Sequence, residues 1–306
     1  MLDLLLIAGG FLCLLFGGES LVSGAVSLAQ RWKVPPLVIG LTLVGFGTSM
    51  PELVTSVQAA LKGSPGVAIG NVVGSNIANV LLILGLSALL WPIGVARHSF
   101  RRDGAFLLLS ALLGAGLILT GQIGAIGGAA LLLGLGLFLF AAFHSSDRAE
   151  ADYATRPVWL ASLLFTGGLL LTLLGARWLV SGAIGLASGL GVSESLIGLT
   201  IVAIGTSLPE LVTSLVAARR QQSDVAFGNI VGSNIFNLFG ILGTTALIRP
   251  MEVPPAIASL DIWVMLAATL ALMAAAVTGQ GISRREGGLM LAGYMLYLVV
   301  LGSTVL

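Results

Sequence analysis

Residues 40–56 read GLTLVGFGTSMPELVTS, and residues 198–214 read GLTIVAIGTSLPELVTS. The likeness runs well beyond this stretch. A shift of 158 positions superposes the two halves without a gap, and 38 of 70 positions agree between 16–85 and 174–243. The register persists to Asp103 with Asp261, and to Thr120-Gly121-Gln122 with Thr278-Gly279-Gln280. The chain is two copies of one unit.

Composition says what kind of unit. Charged residues make up 9% of the chain, against about 25% in soluble domains. Apolar runs of about 20 residues recur from end to end, the pattern of a polytopic helical membrane protein. Ten spans are predicted, roughly at 2–29, 36–61, 66–91, 104–120, 123–143, 158–190, 194–218, 224–248, 256–278 and 286–305. The N-terminal MLDLLLIAGG lacks the basic start of a signal peptide and reads as the first span. The polar gap HSSDRAEADYATRP at 144–157 is the one plausible linker. It divides a first five-helix repeat (1–148) from a second (159–306) across a cytoplasmic linker at 149–158. The lipid bilayer is the expected partner. A net charge of +1 without a basic stripe offers nucleic acid nothing, and no protein partner is evident. The single cysteine, Cys13, excludes an internal disulfide and a cysteine metal cluster.

Five spans is an odd number, so the second copy must enter the membrane upside down, as an inverted-topology repeat. Loop charges test this separately. With the N-terminus outside, the cytoplasmic loops carry Arg31, Lys33, Arg97, Arg101, Arg102, Arg148, Arg156, Arg219, Arg220, Arg284 and Arg285. The opposite face has only Lys62 and Arg249. This positive-inside bias predicts both termini outside, in the cell's inner (plasma) membrane.

Each copy of the repeated stretch holds a glutamate, Glu52 or Glu210, within an apolar span. A charge at the bilayer centre costs about 2.5–3.5 kcal/mol on insertion scales, so such residues mark function. One residue before each glutamate, Pro51 and Pro209 lack an N–H and crowd the carbonyls of Gly47 and Gly205, predicting a break in the second and seventh spans. A break in lipid survives only where protein or a cavity surrounds it. At about 100° per residue, Thr48, Ser49, Glu52, Thr55 and Ser56 share one face, as do Thr206, Ser207, Glu210, Thr213 and Ser214. The third and eighth spans carry GNVVGSNIAN at 70–79 and GNIVGSNIFN at 228–237. Their Asn71, Ser75 and Asn79, and Asn229, Ser233 and Asn237, recur every four residues. All these side chains offer oxygen. Two carboxylates among neutral oxygens select a hard cation, and the spans offer no His and only Cys13 for zinc, copper or iron. Two carboxylates balance one Ca²⁺ or two Na⁺. A site that holds either load but not both is that of an exchanger.

The paired G-T-S-x-P-E and G-S-N-x-x-N segments resemble the α-repeats of the cation/calcium exchanger superfamily, particularly its prokaryotic sodium/calcium exchangers. The resemblance implies ten helices as two inverted five-helix repeats, with helices 2, 3, 7 and 8 kinked or broken around a central site. It also implies Ca²⁺ and Na⁺ as transported ions with no organic cofactor, and alternating access by sliding of helices 1 and 6. Matched by position, the metal ligands would be Thr48, Ser49, Glu52, Ser75 and Asn79, with Thr206, Ser207, Glu210, Ser233 and Asn237, joined by backbone carbonyls near Gly45 and Ala203. Members of the family often place an aspartate at one of the positions held here by Asn79 and Asn237, which leaves this site two carboxylates.

An antiporter coupled to protons instead of sodium is the alternative, and a cation channel a weaker one. An intramembrane enzyme is not expected, because Ser75 and Ser233 have no histidine base within the spans. Two further readings concern charges outside the repeated segments. Glu19 and Arg177 hold matching positions with opposite sign, and are expected to pair between the first and sixth spans as a gate. Asp103 and Asp261 are expected to cap helix N-termini.

Overall fold

In a computed structural model, described for residues 2–95, 97–144, 156–190, 205–278 and 281–305, the chain is helical almost throughout. The described helices are α1 (Leu2–Trp32), α2 (Pro36–Thr48), α3 (Met50–Leu61), α4 (Pro65–Leu90), α5 (Arg97–Leu119), α6 (Ala125–His144), α7 (Val158–Gly189), α8 (Leu208–Arg219), α9 (Ser223–Ile248), α10 (Ile257–Thr278) and α11 (Arg284–Val305). Eight of them are long and apolar enough to cross a membrane, and α2 with α3, bent by 44°, makes a ninth span if counted as one. Helix α8 is what is described of the predicted span 194–218. The predicted linker lies largely outside the described residues.

Burial ranks the helices. The most apolar window of α9 is 100% buried and that of α4 is 78% buried, against 22% for α6 and α7 and 17% for α11. The segments carrying the repeated asparagines are therefore the centre of the bundle, and α6, α7 and α11 form its exposed outer coat. Helix α9 meets α2 backbone to backbone: a Cβ on Gly228 would lie 2.7 Å from the Leu37 carbonyl oxygen, and one on Gly45 3.0 Å from the Ser233 nitrogen. Small residues permit such an approach where no hydrophobic effect drives helices together. Here it carries the end of α2 to the polar stripe of α9.

Helices α1 and α7 pack antiparallel as a pair. A Cβ on Gly10 would stand 2.6 Å from the Leu179 nitrogen, and one on Gly175 2.7 Å from the Leu14 nitrogen. Four two-residue strands tie the ends of the bundle. At one end β1 (Ile93–Gly94) pairs with β4 (Gly281–Ile282), and at the other β2 (Gln122–Ile123) pairs with β3 (Met251–Glu252). Each tie joins a connection of the first copy to one of the second.

Helices α4 and α9 are not broken. Both run on continuously, with π-helical stretches at Ala78–Leu84 and Phe236–Leu242. A π stretch widens the helix and turns the side chains after it, a feature concentrated at functional sites.

Candidate cation site

The predicted breaks fall at Ser49 (φ −83°, ψ 7°) and Ser207 (φ −90°, ψ 8°), which hold the same bridge conformation in both copies. Pro51 and Pro209 then sit in the first turn of α3 and α8, where a missing N–H costs nothing. Glu52 and Glu210 occupy that same turn, where the positive end of the helix dipole favours a carboxylate. One short sequence thus breaks the span, restarts it, and sets an acid at the restart.

Glu52 and Glu210 are each 1% exposed, and each is held by the break of the other copy. Ser49 Oγ donates to Glu210 Oε1 at 2.8 Å, and Ser207 Oγ to Glu52 Oε1 at 3.3 Å. Asn71 Nδ2 donates to the Glu52 carbonyl (3.2 Å) and to Ser56 Oγ (2.9 Å), and Asn229 Nδ2 does the same to the Glu210 carbonyl (3.3 Å) and Ser214 Oγ (2.9 Å). Asn71 and Asn229 therefore fix the carboxylate-bearing helices from behind.

Two residues that the four-residue spacing passes over also take part. Asn79 Nδ2 donates to Asn234 Oδ1 at 3.0 Å, and Asn234 Nδ2 reaches the Asn76 carbonyl at 3.5 Å, so α4 and α9 are joined by amides across the centre. The signal was present, since Asn76 and Asn234 stand three residues before Asn79 and Asn237 and share their helix faces.

What is left unpaired defines the site. Glu52 Oε2, Glu210 Oε2, Asn79 Oδ1, Thr206 Oγ1 and both polar atoms of Asn237 are buried without a hydrogen-bond partner. Ionised buried oxygens are expensive to leave so, and an oxygen-rich pocket of this kind suits a cation. No ion pair among the described residues involves either glutamate, and no cluster of three or more His, Cys, Asp or Glu forms among them. Of the remaining expected ligands, Ser75 is buried on α4, Thr48 Oγ1 donates to Asn229 Oδ1 at 3.2 Å, and Ser233 Oγ donates to the Gly45 carbonyl at 3.2 Å. That carbonyl also accepts from the Ser49 N–H at 3.1 Å, so two donors occupy it. Ala203 lies outside the described residues.

Other expectations are corrected. Glu19 does not meet Arg177: it forms ion pairs with Arg219 and Arg220. The antiparallel register of α1 on α7 sets Gly17 against Thr172 and Gly10 against Gly175. Glu19 and Arg177 therefore lie about eight residues, or ~12 Å, apart along the pair. Asp103 sits inside α5, accepting from Arg102 Nε at 2.7 Å, and Asp261 ends a π-helical stretch, where its Oδ1 accepts from Tyr297 Oη at 3.0 Å; neither is a cap.

Comparison with known proteins agrees with this arrangement. The family described as "Sodium/calcium exchanger protein" matches residues 2–144 and 160–302. Sodium/calcium exchanger MaX1 of Methanosarcina acetivorans is 33% identical, over 98% of this chain and 98% of its own. The CaxA protein of Alkalimonas amylolytica is 39% identical, over 96% and 97%. The solved structure of the sodium-calcium exchanger NCX_Mj, soaked with 10 mM Na⁺ and 10 mM Sr²⁺, superposes with a TM-score of 0.88 at 33% identity, covering 97% of this chain and 98% of that one. The chain, a multi-pass membrane protein, belongs to the sodium/calcium exchanger family.

Proposed function

We propose that the protein is a secondary antiporter exchanging Na⁺ for Ca²⁺ by alternating access. The observation that carries the reading is the pair of buried, unpartnered carboxylate oxygens, Glu52 Oε2 and Glu210 Oε2, contributed one from each copy. The cation is bound by Glu52, Glu210, Thr48, Ser49, Ser75, Asn79, Thr206, Ser207, Ser233 and Asn237. Two negative charges are neutralised by one Ca²⁺ or by two Na⁺, so the loaded site can change sides and the empty one cannot.

In this reading ten spans form two inverted repeats, 1–148 and 159–306, joined by a cytoplasmic linker at 149–158. Support for the inversion comes from the ends of the bundle. The tie between β1 and β4 gathers the arginine-bearing connections, and Arg284 Nη2 reaches the Leu90 carbonyl there at 3.4 Å. At the other end Arg249 Nη1 donates to the Leu61 carbonyl at 3.0 Å, beside Lys62. The positive-inside count then sets the first end in the cytoplasm and both termini outside.

The test is calcium-isotope uptake into proteoliposomes under an imposed sodium gradient, compared with potassium and proton gradients. Sodium-driven uptake is expected. Uptake driven by the proton gradient alone would overturn sodium coupling, and discrete single-channel currents would overturn alternating access.

A further inference from the structure

The α1/α7 pair is packed more closely within itself than against the rest of the bundle. Within the pair, glycines bring the backbones into contact over most of its length. Against the rest, the pair presents a smoother face, where Gly18 lies under Val212 and Val216 of α8. One polar link crosses this face among the described ion pairs: the Glu19 carboxylate on α1 is gripped by Arg219 and Arg220 at the end of α8. Another arginine that reaches α1, Arg156, lies two residues before α7 and donates to Ser23 Oγ at 2.8 Å.

Among the described residues, the second copy shows no such link. The position of Glu19 is taken by Arg177, and those of Arg219 and Arg220 by Leu61 and Lys62. The acid is replaced by a base, and one of its two basic partners by leucine. On that side a cavity of 550 Å³ opens between α7 and α3, lined by Arg177, Ser181, Thr55 and Thr206 among others. The first copy is clamped where the second stands open.

We infer that Glu19 with Arg219 and Arg220 is a latch that fixes α1 to the cytoplasmic end of α8 and holds the exchanger open to the outside. Sliding of the α1/α7 body must break this ion pair to open the cytoplasmic side, and no equivalent pair forms when the outer side closes. The side chains suit a latch that is made and broken: Glu19 is 24% exposed and the two arginines 57% and 40%. A partly exposed pair tips an equilibrium without locking it. The inference rests on the alternating access proposed above but not on which cation drives it.

The experiment reads the outer cavity directly. In a Cys13→Ser background, Ser181→Cys is labelled in spheroplasts with a membrane-impermeant maleimide. Glu19→Gln is expected to slow labelling roughly threefold to fivefold, as is Arg219→Gln with Arg220→Gln, since each frees the inner side to open. The charge-swapped chain, Glu19→Arg with Arg219→Glu and Arg220→Glu, is expected to restore the parental rate, which also answers any loss through misfolding. Equal labelling of Glu19→Gln and parent would overturn the latch, and so would a charge-swapped chain that stays slow. Failure of the transport reading is seen elsewhere, as absent sodium-driven uptake by the parent.

Discussion

Thr206 and Thr48 hold matching places in the two copies, as do Thr55 and Thr213, yet each pair is split by its surroundings. Thr206 and Thr55 line the 550 Å³ cavity beside α7. Thr48 and Thr213 are fully buried on the opposite side, and Thr213 Oγ1 has no partner there. Nearly identical sequences thus occupy two environments, one opened toward solvent and one closed. The local backbone does not differ, since Ser49 and Ser207 break their helices in the same conformation. The difference lies in how the α1/α7 body rests on the bundle: α1 close upon α8, α7 away from α3. A transporter built from two copies needs this inequality. Were both sides open the membrane would leak, and were both closed no ion would enter. In the alternating access proposed above, exchanging the two environments between the copies is the transport step.

The largest effect is expected where the copies are most alike. Glu52→Gln and Glu210→Gln each remove one of the two buried carboxylates proposed to hold a common cation. Removing one partner of a buried charge pair costs about 3 kcal/mol, which is over a hundredfold in affinity. Calcium uptake should fall to background in both variants, and by the same amount, although only one side of the site is open. Residual uptake in one variant and not the other would mean that the two carboxylates do not hold one ion.

A smaller, unequal effect separates the asparagines behind them. Asn229 is fully buried and makes three hydrogen bonds, donating to Ser214 and the Glu210 carbonyl and accepting from Thr48. Asn71 makes two, and is only part-buried. Thermal unfolding in detergent should show Asn229→Ala destabilised by about 2–3 kcal/mol and Asn71→Ala by about 1 kcal/mol less. Equal losses would mean that the closed side is no better knit than the open one.

How far the sequence foretold this depends on how local the cause is. Proline chemistry acts over four residues and a lone acid in an apolar run is visible by itself, so the breaks at Ser49 and Ser207 and the two carboxylates were legible. The partners of Asn79 were not. A stripe counted at about 100° per residue runs from Asn71 through Ser75 to Asn79, but it does not say which residue of another span each will meet, and Asn79 meets Asn234. Glu19 failed for a different reason. Repeat symmetry pointed to Arg177, whereas contact depends on the register of α1 against α7, which the pattern of small residues sets and charge matching does not.

The finest test returns to the two threonines. The single Thr48 hydroxyl proton is shared between the Val44 carbonyl (3.1 Å) and Asn229 Oδ1 (3.2 Å), so Thr48→Val takes the donor from a buried acceptor and should cost about 1–2 kcal/mol of stability in the absence of cation. Thr206 Oγ1 has no partner to lose, so Thr206→Val should leave cation-free stability within about 0.5 kcal/mol of the parent. Added Ca²⁺ stabilises whatever it binds, and the gain grows with affinity. If Thr206 is an open-side ligand, its valine variant loses part of the Ca²⁺-induced rise in melting temperature while its cation-free melting is unmoved. Unfolding curves recorded with and without Ca²⁺ separate the two. A Thr206→Val chain with the full Ca²⁺-induced rise would remove that hydroxyl from the site and leave its unpaired state without a cation to explain it.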